Sequence, residues 1–261
     1  MKHSPFSPAG EKEADRPDEG HSWVAALPPK DGVPFLDIHR KARCNMIYEY
    51  CERHGSGPFE EPFNTISNMV FIWAAVEAWN LAGRHRVRTP QMHLLIFLAA
   101  TVGIGSAIWH VFATPWASLM DLIPILLFQL CFLWLYLRRC AGTKAAVATG
   151  LVCGYLVISL LMLKVPRYLN GSILYAPTMV VLLCLAAYHY SSRQPDRRLL
   201  GVVAILFTMA ITFRSLDSVA CAWVPFGTHF LWHLLNGVVF YCAMRAIILK
   251  QASPSAASRL S

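Results

Sequence analysis

Gly227-Thr228-His229-Phe230-Leu231-Trp232-His233 opens the last apolar run of a 261-residue chain. On an α-helix its two histidines stand on one face, about one turn (~5–6 Å) apart. The run that holds them, 226–248, is long enough to cross a bilayer, which takes about 20 apolar residues. An ionisable side chain inside such a span is rare and is read by default as functional. One metal ion can bridge an i,i+4 histidine pair. The competing reading is a pair that only hydrogen-bonds neighbouring helices.

Six similar runs precede it, at about 62–83, 91–113, 116–137, 145–163, 170–190 and 198–216. Short connections between them predict an all-α membrane protein, a seven-transmembrane helix bundle running up and down. Composition agrees: 56% of residues are hydrophobic and only 15% charged, outside the usual range of a water-soluble domain. A net charge of +8 raises the question of nucleic acid. The basic residues lie between apolar runs rather than on one compact face, so they read as topology signals and no nucleic-acid partner is expected.

Residues 1–34 are rich in Pro, Gly and charge and read as a disordered tail. They contain no signal-peptide core. Residues 35–61 mix apolar and charged positions and suit a short interfacial segment, 62–250 form the membrane domain, and 251–261 are a loose tail. Basic residues follow the first, third, fifth and seventh runs: Arg84, Arg86, Arg88; Arg138, Arg139, Lys144; Arg193, Arg197, Arg198; Arg245, Lys250. Under the positive-inside rule this predicts an integral multi-pass protein with its C-terminus cytoplasmic and its N-terminus outside. In a prokaryote that membrane is the cell membrane. Arg40, Lys41 and Arg43 argue mildly the other way.

The second run ends Gly105-Ser106-Ala107-Ile108-Trp109-His110, which sets Ser106 and His110 on one face. After the turn Ala113-Thr114-Pro115-Trp116, the third run carries Asp121 about one turn in. In the predicted topology Ser106, His110, Asp121, His229 and His233 all fall at similar depth near the outer leaflet. Three neutral imidazoles with an open fourth position make a catalytic zinc site, and zinc brings the pKa of water to about 7. A carboxylate beside it can carry a proton, and a serine hydroxyl can donate to a developing oxyanion. For Ser106 the plain alternative is a small interhelical residue beside Gly103 and Gly105; for Asp121 it is a helix-start residue facing water. His93 and His189 fall at the opposite ends of their runs and read as interfacial. Asn64, Thr65, Ser67 and Asn68 read as capping and interhelical groups, and the tryptophans as an aromatic belt.

Taken together, Pro62-Phe63-Asn64-Thr65-Ile66-Ser67-Asn68, Gly105-Ser106-x3-His110 with Asp121, and His229-x3-His233 resemble the alkaline ceramidases. These belong to a superfamily of seven-helix hydrolases that includes the adiponectin receptors. The resemblance covers the first, second, third and seventh runs, with little match in the fourth and fifth. It implies zinc on His110, His229 and His233, Asp121 as a water-orienting acid/base and Ser106 as an oxyanion donor. The implied reaction is hydrolysis of a membrane-embedded ceramide to a fatty acid and a sphingoid base. Within the same superfamily, a lipid ester hydrolase or a receptor-like protein is the alternative. A bis-histidine haem protein is more remote, because it leaves Asp121 and Ser106 without a task.

The family also implies a calcium site ahead of the first helix, here Glu49, Glu52 and Glu61, hard oxygen ligands suited to that ion. Tyr50 and His54 depart from the family's Trp and Asn in that segment. A disulfide between Cys51 and Cys221 is implied likewise. Cys131, Cys153, Cys184 and Cys242 read as membrane-core residues.

Overall fold

The computed structural model describes residue 47, residues 49–55 and residues 57–253. The tail at 1–34, most of the expected interfacial segment, Cys44 and residues 254–261 lie outside these.

Among the described residues the chain is all-helical and contains no strand. A short helix α1 (Pro62–Ser67) leads into α2 (Met69–Arg84), α3 (Pro90–Phe112), α4 (Pro115–Arg139) and α5 (Ala145–Met162). A 3₁₀ turn (Ser172–Tyr175) precedes α6 (Ala176–Ser191), followed by α7 (Leu199–Ala220) and α8 (His229–Ala252). Prolines open α1, α3 and α4, where the missing N–H would have had no intrahelical partner. Thr89 caps α3 by accepting the Met92 N–H. Ala113 ends α3 in the left-handed region (φ 44°), which folds α4 straight back along it.

Six helices are long and apolar enough to cross a membrane: α3, α4, α5, α6 with its 3₁₀ turn, α7 and α8. The first run differs from its expected single helix over 62–83. It breaks at Asn68, because the Asn64 carbonyl accepts both the Ser67 hydroxyl and the Asn68 side-chain amide. The Asn68 N–H turns instead to Thr65, tightening the last turn of α1. On its own α2, with 16 residues, reaches only ~24 Å.

The helices form a closed array in which α3 packs between α2 and α4, and α8 between α7 and α2. In their apolar spans α8 is 61% buried and α3 56%, against 11% for α5, so the two helices carrying the histidines are the centre of the bundle. Close packing there uses small residues: Ala74, Ala78 and Ala82 of α2 are fully buried. Gly105 of α3 lies directly against the Met120 carbonyl of α4 and leaves no room for a Cβ. Large apolar side chains such as Phe97, Val180 and Ile205 cover the outside, as a lipid-facing surface requires. The seam between α5 and α6 is sparse and is bridged by Tyr155, which bonds Gln129 of α4 and Thr178 of α6 at 2.8 and 2.9 Å.

Candidate metal centre

At one end of the bundle, residues 49–61 lie over the C-terminus of α3 and the N-terminus of α8. Several tethers hold them and the adjoining Ile47 there. Cys51 is disulfide-bonded to Cys221, just past α7. The Ile47 N–H reaches the Ala113 carbonyl. Another is Asp217 of α7, fully buried, whose Oδ2 accepts the Cys51 N–H at 2.9 Å. Its Oδ1 accepts the N–H groups of Thr228 and His229 at 2.6 and 2.8 Å. That carboxylate therefore caps α8, where the helix dipole favours negative charge. Gly227 makes the approach possible: it sits at φ +64°, and a Cβ there would run into the Asp217 carboxylate.

Directly below, His110 of α3 and His229 and His233 of α8 converge. One ligand nitrogen from each lies within 4.8 Å of the others, the only such group of three or more among the described residues. All three are at most 2% exposed. His110 Nδ1 meets Glu61 Oε2 at 2.6 Å, and His233 Nδ1 meets Ser67 Oγ at 2.7 Å. A carboxylate oxygen can only accept, so His110 Nδ1 is the protonated nitrogen. The Ser67 hydroxyl already donates to the Asn64 carbonyl, so it too accepts from the ring. As neutral rings, the form in which histidine ligates a metal, the two would turn bare Nε2 lone pairs towards each other at 3.2 Å. A contact of that length holds either a proton or a metal ion between the two nitrogens. Ligands at ~2.0–2.1 Å in tetrahedral array are ~3.3–3.4 Å apart, so the pair fits a metal ion.

The third ring completes the donor set. His229 Nδ1 is buried and has no protein partner. Tyr50 stacks on the ring, centroids 3.7 Å apart and planes 17° from parallel. The Tyr50 hydroxyl accepts from Arg214 at 2.6 Å. Burial pushes that phenol well above its ordinary range despite the Arg214 charge, so it stays neutral. Glu61 shows the opposite balance: burial alone would raise its carboxyl, but bonds from His110, Arg53 and Asn64 outweigh that and lower it.

Ser106 and Asp121 are neighbours across the α3–α4 contact that Gly105 permits. Asp121 Oδ1 is buried without a hydrogen-bond partner. It sits nearly two turns into α4, because the helix begins at Pro115. Asp121 lines a pocket of mixed character, in which Glu49, Tyr50 and Arg214 face apolar side chains such as Leu122 and Ile173, with Tyr175 in its wall. Beyond the histidines lies a second, apolar pocket walled by Phe71, Phe128, Phe207 and Phe240. Tyr175 lines both.

Glu49, Glu52 and Glu61, expected together around calcium, are each engaged by protein partners instead, although Glu52 and Glu61 both reach Asn64. Glu49 pairs with Arg214 and Arg167. Glu52 accepts the Phe63 and Asn64 N–H groups at the start of α1. Glu61 is divided between Arg53, Asn64 and His110. Their oxygens are taken by protein donors, so the expected calcium set does not fit. His189, read as interfacial, is fully buried at the far end of the bundle between Tyr136 and the Pro195 carbonyl. Trp109, read as part of a belt, is 4% exposed and packs near Tyr50 and Ala117.

The groups that orient the histidines are only partly legible in the sequence. Ser67, expected as a capping or interhelical group, makes an interhelical bond to His233, and Glu61, expected as a calcium ligand, meets the His110 ring instead. Asp217, Arg53 and Tyr50 carry no local pattern that announces them.

A family model described as Ceramidase matches residues 48–258. A search of curated proteins gives no match.

Proposed function

The chain belongs to the ceramidase family, and on that footing we propose that it is an intramembrane, zinc-dependent amidase that cleaves ceramide or a related N-acyl lipid. The observation that carries the metal part of this reading is the facing Nε2 pair of His110 and His233, with His229 beside it. Three histidines and no thiolate suit zinc among the common ions, as in other hydrolytic sites. When bound, zinc supplies Lewis acidity, acidifying water and polarising a carbonyl.

The remaining chemistry falls to side chains of this protein. Hydrolysis adds water across the amide: the oxygen bonds the carbonyl carbon, the C–N bond breaks and the nitrogen gains a proton. Asp121 accepts the proton of the attacking water and returns it to the leaving amine. Ser106 donates a hydrogen bond to the carbonyl oxygen as negative charge gathers there. Glu61 and Ser67 keep Nδ1 of their histidines protonated, so that Nε2 remains the donor atom. The mixed pocket beside Asp121, with Glu49 and Arg214 in its wall, suits the hydroxylated head of a sphingoid base. The apolar pocket suits a hydrocarbon chain.

Seven membrane crossings are counted by taking α1 and α2 together as one bent span. The basic residues that end α2, α4, α6 and α8 then share one side, which the positive-inside rule makes cytoplasmic. The C-terminus lies on that side, and the metal centre lies towards the outer leaflet, where a bilayer lipid reaches it laterally.

Incubation of the purified protein with ceramide and, separately, with a phospholipid tests this reading. Fatty acid is expected from ceramide, and not from the His233→Ala variant. Release from phospholipid alone would transfer the same site to ester hydrolysis.

A further inference from the structure

We infer that the Arg53 guanidinium is a built-in cation that takes the place of a divalent ion in the segment 49–61 and positions His110 through Glu61. The inference rests on reading His110 as a metal ligand. It goes further by assigning a role to a residue outside that triad.

Arg53 is 4% exposed, an unusual place for a group that stays charged at every accessible pH. Three of its nitrogens are committed. Nε donates to Glu61 Oε1 at 2.6 Å, one terminal nitrogen to the Gly57 carbonyl at 3.3 Å, and the other to the His110 carbonyl at 2.6 Å. A carboxylate and two main-chain carbonyls are the oxygens a calcium ion would use, but calcium asks for six to eight of them. The fork of one guanidinium needs fewer and matches their planar directions. The carboxylates that would have to make up a calcium shell are spent elsewhere. Both Glu52 oxygens cap α1, and both Glu49 oxygens face arginines.

Arg53 grips His110 twice. One terminal nitrogen holds its carbonyl, which lies in the last turn of α3 and has no intrahelical N–H to accept. Nε fixes Glu61, whose second oxygen receives the ring N–H. Backbone and imidazole of the same residue are therefore referenced to a single side chain. Removing Arg53 leaves Glu61 carrying a buried charge with only His110 and Asn64 against it. Glu61 then turns away or draws in another cation, and His110 loses its orientation. Arg53 touches no reacting atom on this account; it is a positioning residue.

The test uses the full chain, purified in detergent. Thermal unfolding is followed in calcium-stripped buffer with and without added calcium chloride, alongside equilibrium dialysis against radioactive calcium. Zinc affinity is measured by chelator competition for wild type, Arg53→Ala and Arg53→Lys, the last retaining charge without the fork and serving where the alanine variant does not fold. Wild type should take up no calcium and show no melting shift. Both variants should bind zinc roughly 10–100-fold more weakly, the loss associated with outer-shell partners of a ligand. Methylguanidinium should restore part of that affinity to Arg53→Ala, which a merely structural defect would not allow. Calcium uptake with a raised melting temperature in wild type would overturn the inference, as would unchanged zinc affinity in the variants. Wild type that binds no zinc at all would instead remove the metal reading, while the calcium experiments would still judge Arg53.

Discussion

Nε2 of His110 and Nε2 of His233 stand 3.2 Å apart, while the opposite nitrogen of each ring is held by its own acceptor. Glu61 holds the first at 2.6 Å and Ser67 the second at 2.7 Å. Two helices far apart in sequence thus present matched donor atoms with the tautomer of each already set. The orientation is built into the protein and belongs to residues 61–67, not to the helices that carry the rings.

Removing those acceptors should weaken the metal without touching a ligand. Glu61→Ala is expected to lower zinc affinity roughly 10–100-fold, the range seen for outer-shell groups. Ser67→Ala should act in the same direction, more weakly, because a hydroxyl is a poorer partner than a carboxylate. Chelator competition on purified variants measures both, and wild-type affinity in Glu61→Ala would contradict the tautomer argument.

Asp121→Asn should separate binding from chemistry. The side chain is not among the three converging ligands, so zinc content is expected to stay at the wild-type level. Fatty acid release from ceramide should fall by about 10²–10⁴-fold, the scale of general acid–base assistance. Loss of zinc together with activity would place Asp121 on the metal instead.

Gly105→Ala should damage the site through packing alone. A Cβ there collides with the Met120 carbonyl, so α3 and α4 must part, and Ser106 with them from Asp121. Overpacking of this kind costs about 1–3 kcal/mol. A lowered melting temperature with reduced activity and retained zinc is the expected result. An unchanged melting temperature would mean that the helix contact is looser than described.

Reduction of the Cys51–Cys221 bond should loosen the cover over the metal centre. The bond closes a separation of 170 residues, and removing such a link from a small domain costs about 2–5 kcal/mol. Asp217 bonds the same Cys51 backbone, so Cys221→Ser and Asp217→Asn should be non-additive. Melting temperatures of the two single variants and the double variant measure the coupling; strict additivity would show that they act separately.

Much of this arrangement is legible from spacing. Apolar runs give the helices to within a few residues, and i,i+4 pairs put Ser106 with His110 and His229 with His233 on shared faces. Where legibility ends, the cause is distance along the chain. Asp217 reaches Cys51 across 166 residues, and Ser67 reaches His233 across another 166. No local period encodes such contacts. Glu61 was visible as an acidic residue in a suggestive place, yet its partner was not. Whether a buried carboxylate meets an ion, an arginine or an imidazole depends on what the fold carries to it. Arg53 is the sharpest instance: a charged residue amid charged residues in the sequence, and a buried hub in the fold. The break at Asn68 escaped notice for the opposite reason, since the apolar pattern continues across it while side chains take over the backbone bonds.

Metal content of the purified protein decides whether the three histidines hold an ion. Elemental analysis should find about one zinc per wild-type chain, as expected for a single three-histidine site, and a small residue of that in His233→Ala. Wild-type protein that carries no transition metal after purification in zinc-containing medium would contradict the account. So would a His233→Ala variant that carries as much as wild type.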